Sequence, residues 1–433
     1  MYLLYDLMLL ASSLVLVPYY LFRGLRYGKS RRGIRERIGF FAPDRLAPLA
    51  GRRVFWVHAV SVGETRAAIP LVRALKEAYP EAAVLISNMT ETGHAVAETV
   101  READLCLFFP FDLSWVVRRV LAQVQPAMLI IVETEIWPNF VRFGHRLGIP
   151  VVLVNGRLSD RSFPRYRRIR PLMAPLLAKF SAFCMQSELD GERIRQLGAD
   201  PGRVEVTHNL KFDMQAPLPD AAEVLRLRDC YQLSPEVKVL VAGSTHAGEE
   251  ETVVAAYRQL LASGRQAVLI LVPRHPERCR LVAEMLGAAG LPWVLRSEVE
   301  GRPERLSPGA VLIGDTLGEM LRFYAVADLV FVGGSLVPVG GHNVLEAALV
   351  GKPVLFGPHM HNFKEISRLL LVVGGGIQVA DGESLAREAG KLLDSPQACQ
   401  AMGAKGRDLL AANAGATAHT LRVIAGLLGE AHG

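Results

Sequence analysis

The sequence predicts an α/β protein of two doubly wound parallel-sheet domains facing a cleft, preceded by an N-terminal membrane helix. Three observations carry that prediction. The chain has 433 residues, 50% of them hydrophobic, which exceeds what one core usually organises. Short β-rich apolar runs alternate with amphipathic helical stretches in two separate blocks. The chain also begins with an almost wholly apolar run that leads directly into basic residues.

The apolar run extends from Leu7 to Phe22, with Asp6 the only charge before Arg23 and with Tyr19-Tyr20 suited to a membrane interface. Seven basic residues follow (Arg23, Arg26, Lys29, Arg31, Arg32, Arg35 and Arg37) against the single acid Glu36, which keeps the downstream protein on the cytoplasmic side. A cleaved signal peptide needs positive charge before the apolar run and a small-residue cleavage site after it, and neither is present. Pro18 and Asp6 are compatible with a helix that crosses the bilayer or lies in its interface; a single span is the expectation. The net charge of +6 suits an anionic neighbour, whether phospholipid, nucleotide or nucleic acid. The five scattered cysteines form no Cys-x-x-Cys pair, which speaks against a disulfide framework or zinc site and for a reducing compartment.

In the first block the runs are VFWVHAV, AAVLIS, MLIIVE and VVLVN; after a Pro-rich stretch ending at Pro219 come VLVAGS, AVLILVP, AVLIGD, LVFVGGS and PVLFGP. The expected organisation is an anchor over 1–22, a basic juxtamembrane segment over 23–50 and a first domain over 51–213. A linker over 214–235, a second domain over 236–405 and a C-terminal helix over 406–433 complete it. In parallel sheets ligands bind beyond the carboxyl ends of strands, so the residues just after each run are the ones to inspect.

The first run leads into Ser61-Val62-Gly63-Glu64, a tight turn at a helix start. Glu64 there could simply complement the helix dipole, an effect under roughly 1 kcal/mol, or take a proton from an attacking hydroxyl if burial raises its proton affinity. Glu133-Thr134-Glu135-Ile136-Trp137-Pro138 sets two carboxylates against an apolar strand end. Either could cap the helix near Asn139 or pair with an arginine; paired acids beside buried strands are otherwise costly. Lys211 stands at the domain junction, where a cation could stabilise a departing phosphate. In the second block Gly243-Ser244-Thr245-His246, Pro273-Arg274-His275-Pro276-Glu277-Arg278, Gly314-Asp315-Thr316-Leu317-Gly318-Glu319, Gly333-Gly334-Ser335 and Gly340-Gly341-His342-Asn343 offer anion-binding turns or carboxylates. None has Walker A or Rossmann spacing, yet together they favour a nucleotide-sugar site over plain turn chemistry. His359-x-His361 reads as loop, and Arg157 to Arg170 as a solvated face with a second use against lipid headgroups or phosphorylated sugars.

Taken in order, Ser-Val-Gly-Glu at 61–64, Glu-Thr-Glu-Ile-Trp-Pro at 133–138, Leu-Lys-Phe-Asp at 210–213, Pro-Arg-His-Pro-Glu-Arg at 273–278 and Gly-Gly-His-Asn at 340–343 closely resemble motifs of the bacterial 3-deoxy-D-manno-octulosonic acid (Kdo) transferases of lipopolysaccharide assembly. The resemblance implies a GT-B fold, with an N-terminal acceptor domain and a C-terminal donor domain. It also implies transfer of Kdo from CMP-Kdo to a lipid A precursor, lipid IVA, at the bacterial inner membrane. Contact with membrane phospholipid is implied, and no cofactor, metal or nucleic-acid partner. Carried over by position, Glu64 matches the family's general base, and Glu133 and Lys211 match the residues credited with transition-state stabilisation. The CMP contacts fall on Pro273 and Arg274, on Leu317, Gly318 and Glu319, and on Asn343, Val344, Leu345 and Glu346. One departure is Thr207-His208-Asn209, where the family is expected to carry a glycine and a small polar residue. A nucleotide-sugar 2-epimerase of the same two-domain architecture and a non-catalytic binding module at the membrane are the rival readings.

Overall fold

The first sheet holds seven strands: β1 (Val54–His58), β2 (Ala83–Asn88), β3 (Leu105–Phe108), β4 (Met128–Val132), β5 (Val151–Gly156), β6 (Ala182–Met185) and β7 (Val204–Val206). They are parallel in the order β3-β2-β1-β4-β5-β6-β7, in a computed structural model that describes residues 2–12, 33–214, 218–300 and 304–429. The second sheet holds β8 (Lys238–Thr245), β9 (Ala267–Pro273), β10 (Trp293–Leu295), β11 (Val311–Ile313), β12 (Leu329–Val332), β13 (Val354–Phe356) and β14 (Gly376–Gln378), parallel in the order β10-β11-β9-β8-β12-β13-β14. Each sheet reverses its winding once, between β1 and β4 and between β8 and β12. At such a switch point the connections leave in opposite directions and open a crevice at the strand ends.

Every apolar run named above became a strand. Those without a clear run are β3, β6, β7, β10 and β14, and four of these five are the sheet edges. Edge strands are short and half-exposed, so they lack the continuous hydrophobic signature of a strand covered on both faces. In β1, Phe55 and Val57 face one core and Val54 and Trp56 the other, the two-residue period of a strand buried from both sides.

The chain divides into two units, Met1–Gln215 with Asn413–Gly433, and Ala216–Ala412. The final stretch read as one helix is two, Pro396–Asn413 and Ala416–Leu427, parted at Gly415 with φ 102. Asp213 accepts the Gly415 N–H at 2.6 Å and the Thr417 N–H, so the last helix is capped by the 210–213 turn and buries Ala416 and Ile424 in the first unit's core.

Residues 2–12 are helical, while the rest of the expected anchor and the basic run through Arg32 lie outside the described residues. Among the described residues no helix is long and apolar enough to cross a membrane. Asp6 does not stand as a stray charge in an apolar helix. It accepts the Ser114 N–H at 3.1 Å, the Ser114 hydroxyl at 2.5 Å and the Asn139 amide at 2.8 Å, thereby capping the helix Ser114–Val124, which has no side-chain cap of its own. That attachment leaves Leu3, Leu4, Leu7, Met8 and Leu10 exposed on the outer face.

Candidate active site

Glu64 follows β1 and Glu133 follows β4, so the first sheet's switch point lies between them. Ser61 caps the helix Val62–Ala78, its hydroxyl accepting the Glu64 N–H at 3.5 Å. In return Glu64 Oε1 accepts the Ser61 hydroxyl at 2.8 Å and Oε2 accepts the Val60 N–H at 2.7 Å, a variant of the Ser-x-x-Glu capping box. A carboxylate has about four lone-pair sites, so the box leaves room for a further donor. Burial, opposed by the Val60 and Ser61 bonds and reinforced by the charges of Glu133 and Glu135, pushes the Glu64 carboxyl up to about 7. The box therefore fixes the carboxylate in place, and burial sets its proton affinity near neutrality.

Glu133 is held at φ 59, a left-handed backbone unusual for a side-chain-bearing residue, with its N–H on the Val154 carbonyl at 2.9 Å. Its carboxylate meets Lys211 Nζ at 3.3 Å. Neither Glu133 nor Glu135 caps the helix Pro138–Arg146. Asp112, 3% exposed, does so by accepting the Asn139 and Phe140 N–H groups at 3.0 and 2.8 Å. Burial, then the Glu133 charge, raises the Glu135 carboxyl.

Lys211 owes its position to three buried amides, of which only Asn209 stood out in the sequence. Asn155 Oδ1 accepts the Leu210 N–H at 3.0 Å, Gln186 donates to the Asn155 carbonyl at 2.9 Å, and Asn209 donates to Gln186 Oε1 at 2.9 Å while capping the Lys211 N–H at 3.0 Å. For Asn155 the available signal was an amide side chain directly after the apolar run VVLV; Gln186 follows β6, which has no such run. His208 sits at φ 65, a conformation natural to the glycine expected in this loop. Three of the six non-glycine residues with positive φ among the described residues, Glu133, Asn155 and His208, thus gather at this edge.

In the second unit the adjacent strands β11, β9, β8 and β12 carry Leu317–Glu319, Pro273-Arg274, His246 and Asn343–Glu346 to one sheet edge. The Arg274 N–H donates to Thr245 O at 2.9 Å, tying two of these ends together. Asn343 Oδ1 accepts the Leu345 N–H at 3.1 Å, and Asn343 donates to Glu346 at 3.4 Å. Val344 and Leu345 are buried, so their side chains serve the core. Gly318 has φ 81, Leu317 is exposed, and Glu319 is paired with Arg296 at 3.3 Å.

One sequence expectation needs correction. In the Gly333-Gly334-Ser335 turn, read as a phosphate cradle, the Gly334 and Ser335 amides are already occupied by Glu249, and the Gly333 N–H donates to the Gly243 carbonyl at 2.8 Å. The buried Glu249 carboxylate accepts the N–H groups of Gly334 at 2.7 Å, Ser335 at 3.0 Å, Leu336 at 2.8 Å and His246 at 3.3 Å. An anion nest formed as expected, and the protein supplies the anion.

At the level of class, the fold is a two-domain parallel-sheet α/β architecture of the GT-B type. A solved glycosyltransferase from Rickettsia africae matches 88% of this chain and 100% of its own, with a TM-score of 0.58 at 13% identity. The sequence narrows this. Residues 32–214 match the family model described as 3-Deoxy-D-manno-octulosonic-acid transferase (kdotransferase). The chain is 34% identical to the 3-deoxy-D-manno-octulosonic acid transferase of Haemophilus influenzae over 97% of this chain and 96% of that protein. It is 37% identical to the one of Bordetella pertussis, over 91% and 90% respectively. The chain belongs to the Kdo transferase family and is a glycosyltransferase, which sets aside the epimerase and the non-catalytic module.

Proposed function

We propose that the chain transfers Kdo from CMP-Kdo to a lipid A precursor, lipid IVA, by an inverting, metal-independent displacement with Glu64 as general base. The observation that carries this reading is Glu64 itself: a fixed carboxylate at a sheet switch point, with a proton affinity near neutrality, beside a lysine–carboxylate pair. A base of that strength accepts a proton from an attacking hydroxyl and releases it to water afterwards. Displacement at a ketose carbon passes through an oxocarbenium-like state. Glu133 supplies negative charge for the sugar, and Lys211 a fixed cation for the charge that leaves with the phosphate. The nucleotide lies along the edge formed by Pro273-Arg274, Leu317–Glu319 and Asn343–Glu346.

A lipid acceptor stays in the bilayer, so the enzyme works at the membrane surface. We place it at the cytoplasmic face of a bacterial inner membrane, held by its N-terminal segment. Two features support this: the exposed leucine face of residues 2–12, and exposed Arg165, Arg167, Arg168 and Arg170 beside Ile169 and Leu172. The test is incubation of membranes containing the protein with CMP-Kdo and lipid IVA, followed by mass analysis of the lipid. An acceptor raised in mass by Kdo increments is expected; an unchanged acceptor refutes the reading.

A further inference from the structure

His246 follows β8 and His342 follows β12, the two strands at the second sheet's switch point. Their Nε2 atoms are 2.8 Å apart. The rings are 4° from parallel with centroids 5.1 Å apart. With nitrogens so close and centroids so far, the contact runs along the line joining the rings, in the plane of both: an imidazole–imidazole hydrogen bond and not a face-to-face stack. One Nε2 must then carry a proton and the other accept it.

The surroundings fix this pair and load it electrostatically. Glu249 bonds the His246 N–H and the Gly334–Leu336 amides, clamping both loops at once. A Cβ on Gly334, at φ 64, would lie 2.9 Å from the His342 ring, so only glycine admits the pair. Burial, then His275, then Arg274 and Arg278 hold the His246 imidazole below its usual proton affinity, with Glu250 opposing them. Glu250 is itself bound to Arg278 at 2.8 Å, and Glu249 is consumed by its amides. Arg274 and Arg278 therefore bear on His246 from the end of β9, while Glu249 and Glu250 are already engaged. An anion bound at this edge would offset those cations and favour a second proton on the pair.

We propose that the His246–His342 pair is a proton-loading site for the donor's phosphate: it takes up one proton when the nucleotide binds and gives it to the phosphate oxygen that departs. This rests on the donor reading above. As the bond between the sugar carbon and the phosphate oxygen breaks, its electron pair stays on that oxygen, which receives the pair's extra proton. The acceptor oxygen forms the new bond to the sugar carbon and its proton passes to Glu64. The pair returns to neutral and reloads from solvent with the next donor.

The experiment is calorimetry of CMP binding to the full-length protein near pH 7.5 in buffers of different ionisation heat, which counts protons taken up. Wild type should take up close to one proton per CMP bound, and His246→Gln and His342→Gln should each abolish the uptake. In the transfer assay each variant should lose kcat about 10²-fold, the usual scale for one proton-transfer group, with a smaller change in KM. The double variant should be no worse than either single, because both share one proton. CMP binding to wild type without proton uptake, or uptake that survives in either variant, overturns the proposal and leaves the donor reading intact. Failure of CMP to bind wild type at all overturns both.

Discussion

Glu64 and Glu249 occupy corresponding places in the two units. Each follows the strand at its sheet's switch point and stands at the start of the helix that comes next, yet the two carboxylates have opposite surroundings. Glu64 accepts one N–H and one hydroxyl within its own turn, and stays 8% exposed. Glu249 accepts four N–H groups from two loops and is fully buried. Burial raises the proton affinity of both, but four amide donors pull Glu249 back towards the charged form. The same residue type at equivalent topological positions is a reagent in one unit and a clamp in the other, and the number of donors it satisfies makes the difference. Backbone strain divides in a similar way. The first edge holds three side-chain-bearing residues, Glu133, Asn155 and His208, at positive φ, whereas the second holds one, Ser244, and otherwise turns on glycines such as Gly334, Gly340 and Gly341.

The largest effect that tests this contrast is on turnover. Glu64→Gln keeps the shape and should lower Kdo transfer by about 10²–10⁴-fold, the range of a general base, with the thermal midpoint unchanged or higher. Transfer within a few-fold of wild type would mean that Glu64 is only a cap. Next comes pH. The folded Glu64 carboxyl sits near 7 against an ordinary 4.5, so the native state holds more protons than the unfolded one between those values. Its contribution therefore destabilises as pH rises through that window, by up to about 3 kcal/mol. Buried His58, lowered to about 3 by burial, works oppositely and favours folding as pH rises from 3 towards 6.5. Comparing wild type with Glu64→Gln from pH 5 to 8 cancels the His58 contribution. The variant should gain relative stability with pH, and parallel stability curves would show an ordinary carboxyl. The acid limb of wild-type kcat/KM should likewise fall near pH 7.

Glu249→Gln should act on stability. It sets an amide nitrogen against backbone donors and removes a charge-assisted acceptor, a loss of about 2–3 kcal/mol readable in denaturant melts. A melt indistinguishable from wild type would erase the contrast with Glu64. The smallest effect concerns strain: His208→Gly relieves the left-handed backbone at that position and should raise stability by under about 1 kcal/mol, part of the gain being returned as unfolded-chain entropy. A loss instead would mean that the His208 side chain holds the Lys211 loop.

Much of this was legible in the residues. The apolar runs determined both parallel sheets, because a strand covered on both faces must be hydrophobic along its whole length. Glu64 and Glu133 were read at strand ends and Lys211 at the domain junction; Lys211 pairs with Glu133, whose charge also acts on Glu64. The edge strands were not legible, since short half-exposed strands lack a continuous apolar signal. Nor was the satisfaction of polar groups. Asp6 as a cap 108 residues from its partner Ser114, Asp112 in place of Glu133 or Glu135 on the helix Pro138–Arg146, and Glu249 filling the Gly334–Leu336 amides are all long-range pairings. Local periodicity and capping rules act within a few residues, so the sequence determined the elements and the order of the strand ends. Which donor meets which acceptor across the strand ends, and hence which carboxylate is left to react, only the tertiary structure decided.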